Sequence, residues 1–108
     1  EKLKNRPMMS GAVIAVSHVR DPKSKILELE EIEAVACAIQ NMYLTATAYG
    51  VGCYLSTGGI TYFSQAKAFF GLGPDDQLIG FMHVGMPKNH EQKSRRKPIS
   101  ERVKWVTD

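Results

Sequence analysis

The sequence has one dense group of cationic side chains, close to its C-terminal end. Seven of the fourteen Lys and Arg residues fall between Lys88 and Lys104, and Lys93, Arg95 and Arg96 stand close together within that segment. An Arg guanidinium donates two parallel hydrogen bonds to phosphate oxygens, so such a cluster suits a phosphate-bearing cofactor. A solvated charge run and a nucleic-acid patch are the alternatives, and the absence of interleaved aromatic residues for base stacking disfavours the nucleic acid.

A second segment with chemical potential follows a short predicted strand at Cys53 to Leu55. Ser56 and Thr57 lead there into the pair Gly58-Gly59. Adjacent glycines adopt backbone angles that other residues avoid, and they leave room for a ligand to approach the main chain. This segment is therefore a candidate for contact through backbone groups.

Motifs for side-chain catalysis are missing from the sequence. There is no G-x-S-x-G elbow, P-loop or H-E-x-x-H, and the carboxylates cluster without an evident acid and base pairing. His18, His83 and His90 are far apart in sequence, which favours packed or solvated histidines over metal ligands. Catalysis by side chains of this sequence is therefore poorly supported.

Length and composition indicate one globular domain. The chain has 108 residues, of which 44% are hydrophobic and 23% charged. No apolar run is long enough to cross a bilayer, and the charged segment 1–7 does not resemble a signal peptide. Cys37 and Cys53 lack CxxC spacing, so we expect reduced thiols in a cytoplasmic protein.

The longest predicted element is a helix from Leu27 to Tyr49. Acidic residues crowd its start, where the positive end of the helix dipole favours them, and Gly50 follows its end, where a glycine commonly terminates a helix. Its alanines make much of its surface shallow, so another helix could approach closely and we expect burial on more than one side. One apolar stripe follows the helical repeat: Ile32, Val35, Ile39, Met42, Ala46 and Tyr49.

Shorter elements flank this helix. The almost continuous apolar run 8–19 predicts a strand covered on both faces, and the run 77–84 predicts a second central strand. Thr61 could cap a short helix that ends near residue 70. We expect Trp105 to dock on other parts of the molecule. The inner face of the short helix would carry Phe63, Ala66, Phe69 and Phe70.

Three blocks of sequence, in this order, resemble the C-terminal half of the nitroreductase family. They are AVACAIQNMYLTATAYGVGCYLSTGG, then FFGLGPDDQLIGFMHVGMP, then RRKPISERVKW. The resemblance implies an α+β fold of the three-layer α/β type, with a mixed sheet and a long central helix. Residues 1–108 would be a partial domain, with a basic tail and extension at 88–108, lacking the N-terminal half of a full member.

The resemblance also assigns the ring end of a flavin site. Family members bind FMN in clefts between two identical subunits, which implies a homodimer here. Leu55, Ser56, Thr57 and Gly58 would lie against the flavin ring, with the backbone N–H of Thr57 or Gly58 donating toward flavin N5 and O4. The pair Gly58-Gly59 would expose that backbone.

The phosphate end is assigned to the basic tail by the same resemblance. Arg96, two positions before Pro98, would bind the FMN phosphate, with Lys93 or Arg95 assisting. The stretch around Trp105 would wrap onto the partner subunit. NAD(P)H would reduce the flavin, which would then pass hydride to a nitroaromatic, a quinone or a similar electron-poor acceptor.

Two other interpretations stay open at the level of sequence. The chain could be a non-catalytic half-domain that dimerises through its alanine-rich helix without binding flavin. It could also be a small basic nucleic-acid-binding protein, which the sequence pI of about 9.0 permits.

Overall fold

Three antiparallel strands form a sheet whose central strand is the last of the three in the chain. A computed structural model describes residues 10–23, 25–89 and 93–107. The strands are β1 (Ala12–His18), β2 (Gly52–Ser56) and β3 (Gln77–Gly85), in the spatial order β1-β3-β2. Helix α1 (Glu28–Ala48) connects β1 to β2, and helix α2 (Ser64–Phe69) precedes β3. The predicted α+β class is confirmed.

Both strand pairings are antiparallel, so no parallel pair of a mixed sheet occurs among the described residues. Leu55 of β2 lies opposite Met82 of β3, and Ile14 of β1 lies opposite the same residue on the other side. Met82 is fully buried because it sits at the centre of this row and faces α1. The core is therefore centred on β3.

Strand β1 differs from its prediction in one respect. Its position agrees with the apolar run, but Val13 and Ile14 are 38% and 40% exposed. The expectation that both faces of this strand are covered is wrong for the described chain. The reason is positional, since β1 is an outer strand and the described elements cover it only in part.

Helix α1 begins and ends within a residue or so of its predicted limits. Glu28, Glu30 and Glu31 lie in its first turn. At its end, the Val51 N–H donates to the Ala46 carbonyl at 2.8 Å, while Gly50 has a φ of 69°. This is a Schellman motif, which glycine completes without strain.

One face of α1 is covered and the opposite face is open. Ile39 is buried and most of the predicted stripe is half-buried, but Tyr49 is 81% exposed. The alanines Ala34, Ala36 and Ala38 on the other side are exposed. Burial on more than one side is thus not observed in the described chain.

The segment between β2 and α2 corrects the predicted cap. Thr61 does not begin a helix, because it lies inside a 3₁₀ turn at Gly59–Tyr62, and its hydroxyl donates to the Gly58 carbonyl. Helix α2 begins at Ser64 and spans only six residues. Phe63 and Phe69 are 58% and 82% exposed, so the predicted inner face is largely open in this chain.

The tail has little contact with the rest of the chain. Its hydrogen bonds and ion pair within 93–107 are internal, among them Lys97 to Glu101 at 3.5 Å. Trp105 is 84% exposed, so it does not dock on the described part of this chain. None of the described helices is both long enough and apolar enough to cross a bilayer.

Candidate functional site

The turn after β2 presents main-chain groups to open space. Gly58 and Gly59 have φ angles of 89° and 56°, in the left-handed region that glycine tolerates. A Cβ atom built on Gly59 would have no neighbour within 4 Å, and Thr57 is exposed. Within the segment proposed for ligand contact, the open positions are thus Thr57 and Gly59, whereas Leu55 and Ser56 pair with β3.

The orientation of the Ser56–Thr57 peptide follows from a close approach to β3. The carbonyl oxygen of Ser56 lies 2.7 Å from the position that a Cβ on Gly80 would occupy, so it faces β3. In a trans peptide the following N–H points the opposite way. The Thr57 N–H thus points away from the sheet. Among the hydrogen bonds of the described residues, neither the Thr57 N–H nor the Gly58 N–H has an acceptor.

Helix α1 makes a direct polar contact with this strand. The Leu55 N–H donates to the Tyr43 hydroxyl oxygen at 2.7 Å. Strand β2 lies at the outer side of the three strands, so the Leu55 N–H, which points away from β3, needs a partner from elsewhere. Tyr43 supplies it from the middle of the helix.

The predicted phosphate ligands make no hydrogen bond or ion pair with this turn among the described residues. Lys93, Arg95 and Arg96 are exposed. The Arg96 Nε donates to the Ser94 hydroxyl at 3.4 Å, a weak contact that leaves the rest of the guanidinium open to a ligand.

A charged cluster fastens the start of α1 to the end of β1. Glu31 accepts from His18 Nε2 at 2.8 Å, from Arg20 at 2.6 Å and from the Asp21 N–H at 3.0 Å. These donors, the His18 hydrogen bond first, lower the pKa of Glu31 to about 2. His18 is 1% exposed, so it is a packed histidine.

Asp76 and His83 have structural partners as well. Asp76 accepts from the backbone N–H of Arg20 and that of Gly73, and these two bonds lower its pKa. His83 lies within 3.1 Å of the Ser10 hydroxyl, whereas His90 lies outside the described residues. No group of three His, Cys, Asp or Glu side chains in the described chain is arranged to hold a metal ion.

Sequence reasoning missed three positions that shape the site region. Gly80 is an isolated glycine within a strand, which is a known sign of close backbone approach and could have been found. Glu31 was interpreted only through the helix dipole. The partner of Tyr43 is twelve residues away, and no sequence signal connects the two.

A model of the nitroreductase family matches residues 1–86. The Escherichia coli K12 protein YdjA, provisionally named an NAD(P)H nitroreductase, is 26% identical over 88 residues, which are 82% of this chain and 48% of that protein. YfhC of Bacillus subtilis, with the same provisional name, is 27% identical over 94% of this chain and 54% of its own length. The chain spans about half the length of these curated relatives.

Solved structures give the same result. A nitroreductase-like family protein from Bacillus cereus superposes with a TM-score of 0.81 and 28% identity, covering 97% of this chain and 56% of its own. A structure from Desulfovibrio desulfuricans, provisionally named a nitroreductase and containing FMN, has a TM-score of 0.64 and 26% identity, covering 84% of this chain and 52% of its own. With the family match over most of its length, this chain belongs to the nitroreductase family.

Proposed function

We propose that this chain is the C-terminal half of an FMN-dependent oxidoreductase that passes hydride from NAD(P)H to an electron-poor acceptor such as a nitroaromatic or a quinone. The observation that carries the proposal is the turn after β2. There the Thr57 N–H points away from the sheet without an acceptor, beside the open backbone of Gly58 and Gly59.

The chemistry of this turn fits the ring of a flavin. Flavin N5 and the carbonyl oxygen O4 of oxidised flavin are hydrogen-bond acceptors, so they need N–H donors that the protein has not already used. Thr57 and Gly58 offer such donors in a place that no described side chain fills. The FMN-containing relative of the same family is independent support for this choice of cofactor.

The basic tail fits the other end of FMN. Phosphate carries negative charge, and Lys93, Arg95 and Arg96 are exposed cations close together in sequence. Because no hydrogen bond or ion pair joins the tail to the turn within the described residues, we propose that a further polypeptide segment contributes to the complete site. That polypeptide is a second copy of the chain, or a segment equivalent to the half of the relatives that this chain does not match.

Bound FMN would supply hydride transfer at N5, so the protein needs no acid and base pair of its own at this site. The residues of this chain bind and orient the ring through the Thr57 and Gly58 main chain, and they neutralise the phosphate through the tail. The names of the curated relatives support NAD(P)H as the electron donor.

The open surfaces of the chain support association. The alanine face of α1 is exposed, and so are Phe63 and Phe69 near α2. The Cα radius of gyration is 17.4 Å, compared with about 13 Å for a compact domain of 100 residues. A homodimer that covers the alanine face would bury apolar groups that are exposed in the single chain, and it would bring two sites together.

A non-catalytic dimerising half-domain is the second candidate, favoured because no hydrogen bond or ion pair joins the tail to the turn among the described residues. Absorption spectroscopy distinguishes the two. Purified chain mixed with FMN and passed through a desalting column should retain the visible flavin band, and adding NAD(P)H without oxygen should bleach it. Colourless protein after this procedure would refute a flavin site built from copies of this chain alone. Retained flavin that NAD(P)H does not bleach would refute the electron donor.

Nucleic-acid binding has less support from the structure. The tail carries an exposed Trp105, but this residue lies beyond the main group of cations and does not alternate with them. A gel shift with single-stranded DNA at low salt would detect such binding, because phosphate contacts weaken steeply as salt rises.

A further inference from the structure

The Leu55 N–H in β2 and the Thr57 N–H, one residue past the end of the strand, differ in their hydrogen bonding. Leu55 and Thr57 are two residues apart, so their N–H groups point to the same side of the strand, about 7 Å apart along it. The Leu55 N–H donates to the Tyr43 hydroxyl at 2.7 Å, and the Thr57 N–H has no acceptor among the described residues.

The Ser56–Thr57 peptide is thereby held from two directions. On one side the Ser56 carbonyl packs against Gly80, where any side chain would collide with it. On the other side Tyr43, half-buried on α1, holds the preceding Leu55 N–H. The other restraints on this end of β2 are its pairing with β3 and the two hydrogen bonds that the Gly58 carbonyl accepts from Thr61.

We infer that Tyr43 is a positioning residue for the flavin ring, which acts by holding β2 so that the Thr57 N–H is the donor presented to FMN. This inference rests on the proposed function and deepens it, since it selects Thr57 over Gly58. Loss of the hydroxyl leaves the Leu55 N–H without a partner and lets the end of β2 tilt. The donor at Thr57 then moves relative to the ring.

Tyr43→Phe tests the inference because it removes only the hydroxyl. Tyr49→Phe is the matched control, since Tyr49 lies near the end of the same helix and is 81% exposed. Three quantities are measured in each protein: the amide hydrogen exchange rate at Leu55 by NMR, the Kd for FMN, and the wavelength of the bound flavin band.

The expected result is confined to Tyr43→Phe. Loss of one hydrogen bond should raise the FMN Kd about two- to tenfold and speed exchange at Leu55 by a similar factor. The flavin band should also shift, because a changed hydrogen bond to the ring changes its electronic environment. Tyr49→Phe should match the wild type in all three.

Other outcomes would overturn the inference. Unchanged Leu55 exchange in Tyr43→Phe means that the contact does not restrain the strand. Faster Leu55 exchange and a weaker Kd with an unshifted flavin band mean that the hydroxyl only stabilises the fold. If the wild type itself does not bind FMN, the proposed function fails and the positioning role fails with it, while the Leu55 exchange rate still reports separately whether the Tyr43 contact exists.

Discussion

Replacing Gly80 with alanine would add one methyl group where β3 approaches the end of β2 most closely. The new Cβ would lie 2.7 Å from the Ser56 carbonyl oxygen and 3.2 Å from Leu55 Cδ1 and Thr57 Cγ2. Ordinary contact begins at 3.4 Å, so the oxygen and the methyl group must separate by about 0.7 Å. The oxygen belongs to the backbone and cannot rotate away without moving the peptide.

The cost follows from this geometry. Overpacking of this kind typically costs about 1–3 kcal/mol, and in a domain of this size each kcal/mol lowers Tm by about 4–8 °C. Because the Thr57 N–H is part of the same peptide as the Ser56 carbonyl, the displacement also turns the proposed flavin donor. We therefore expect Gly80→Ala to weaken FMN binding as well as to destabilise the fold.

Gly85→Ala is the matched control on the same strand. A Cβ on Gly85 would have its nearest neighbour at 3.7 Å, which is ordinary contact. Both variants gain the same stabilisation from a less flexible unfolded chain, about 0.4–1 kcal/mol. The difference between their free energies of unfolding, measured by urea titration, therefore isolates the steric cost at Gly80.

Equal stability of the two alanine variants would refute the reasoning, since it would show that β2 accommodates the methyl group without strain. A large loss of stability with unchanged FMN affinity would retain the steric argument and reject the link to the Thr57 donor.

Three further predictions concern charge and the main chain. The pKa of Glu31, about 2, is below its ordinary value of 4.5. The ionised carboxylate therefore stabilises the fold above pH 4.5, and this stabilisation is lost as the pH falls toward 2. Urea midpoints measured from pH 6 to pH 2 should show the loss, and Glu31→Gln should reduce this pH dependence. Arg96→Ala should raise the FMN Kd without changing Tm. Lys23→Ala removes the same charge from an exposed loop and should change neither quantity. An equal rise of the FMN Kd in both variants would show that only net charge matters. Thr57→Ala should leave FMN binding unchanged, whereas Thr57→Pro, which lacks the backbone N–H, should abolish it. FMN binding is measured by flavin fluorescence, and retained binding in the proline variant would exclude the Thr57 N–H as the donor.

Local signals in the sequence were sufficient for the main elements. Acidic residues at the start and Gly50 at the end located α1, because capping and dipole effects depend on residues within one turn. The apolar runs located β1 and β3. The prediction that Thr61 caps a helix was wrong because a threonine hydroxyl has two local uses. A capping hydroxyl accepts from a backbone N–H, whereas in this 3₁₀ turn the Thr61 hydroxyl donates to the Gly58 carbonyl.

The parts that escaped prediction depend on contacts between distant residues. Strand order, the open faces of α1 and the exposure of Phe69 are set by what covers each surface, which a pattern in one segment does not reveal. The segment proposed to contact the flavin was chosen from its glycines and from the family resemblance. The hydrogen bond between the Tyr43 hydroxyl of α1 and the Leu55 N–H of β2 depends on how the helix packs on the sheet, so the sequence did not predict it.

The hydroxyl of Tyr43 has one more consequence, for association between folded chains through the outer strand β2. An outer strand with unpaired N–H groups is a template on which another chain can add a strand, and this is a common route to aggregation. Strand β2 has only five residues, and the donor near its middle is already used by Tyr43. An incoming strand could not accept a hydrogen bond from the Leu55 N–H. The Thr57 N–H just beyond the strand can therefore be exposed to a ligand while β2 remains a poor template for pairing with other chains.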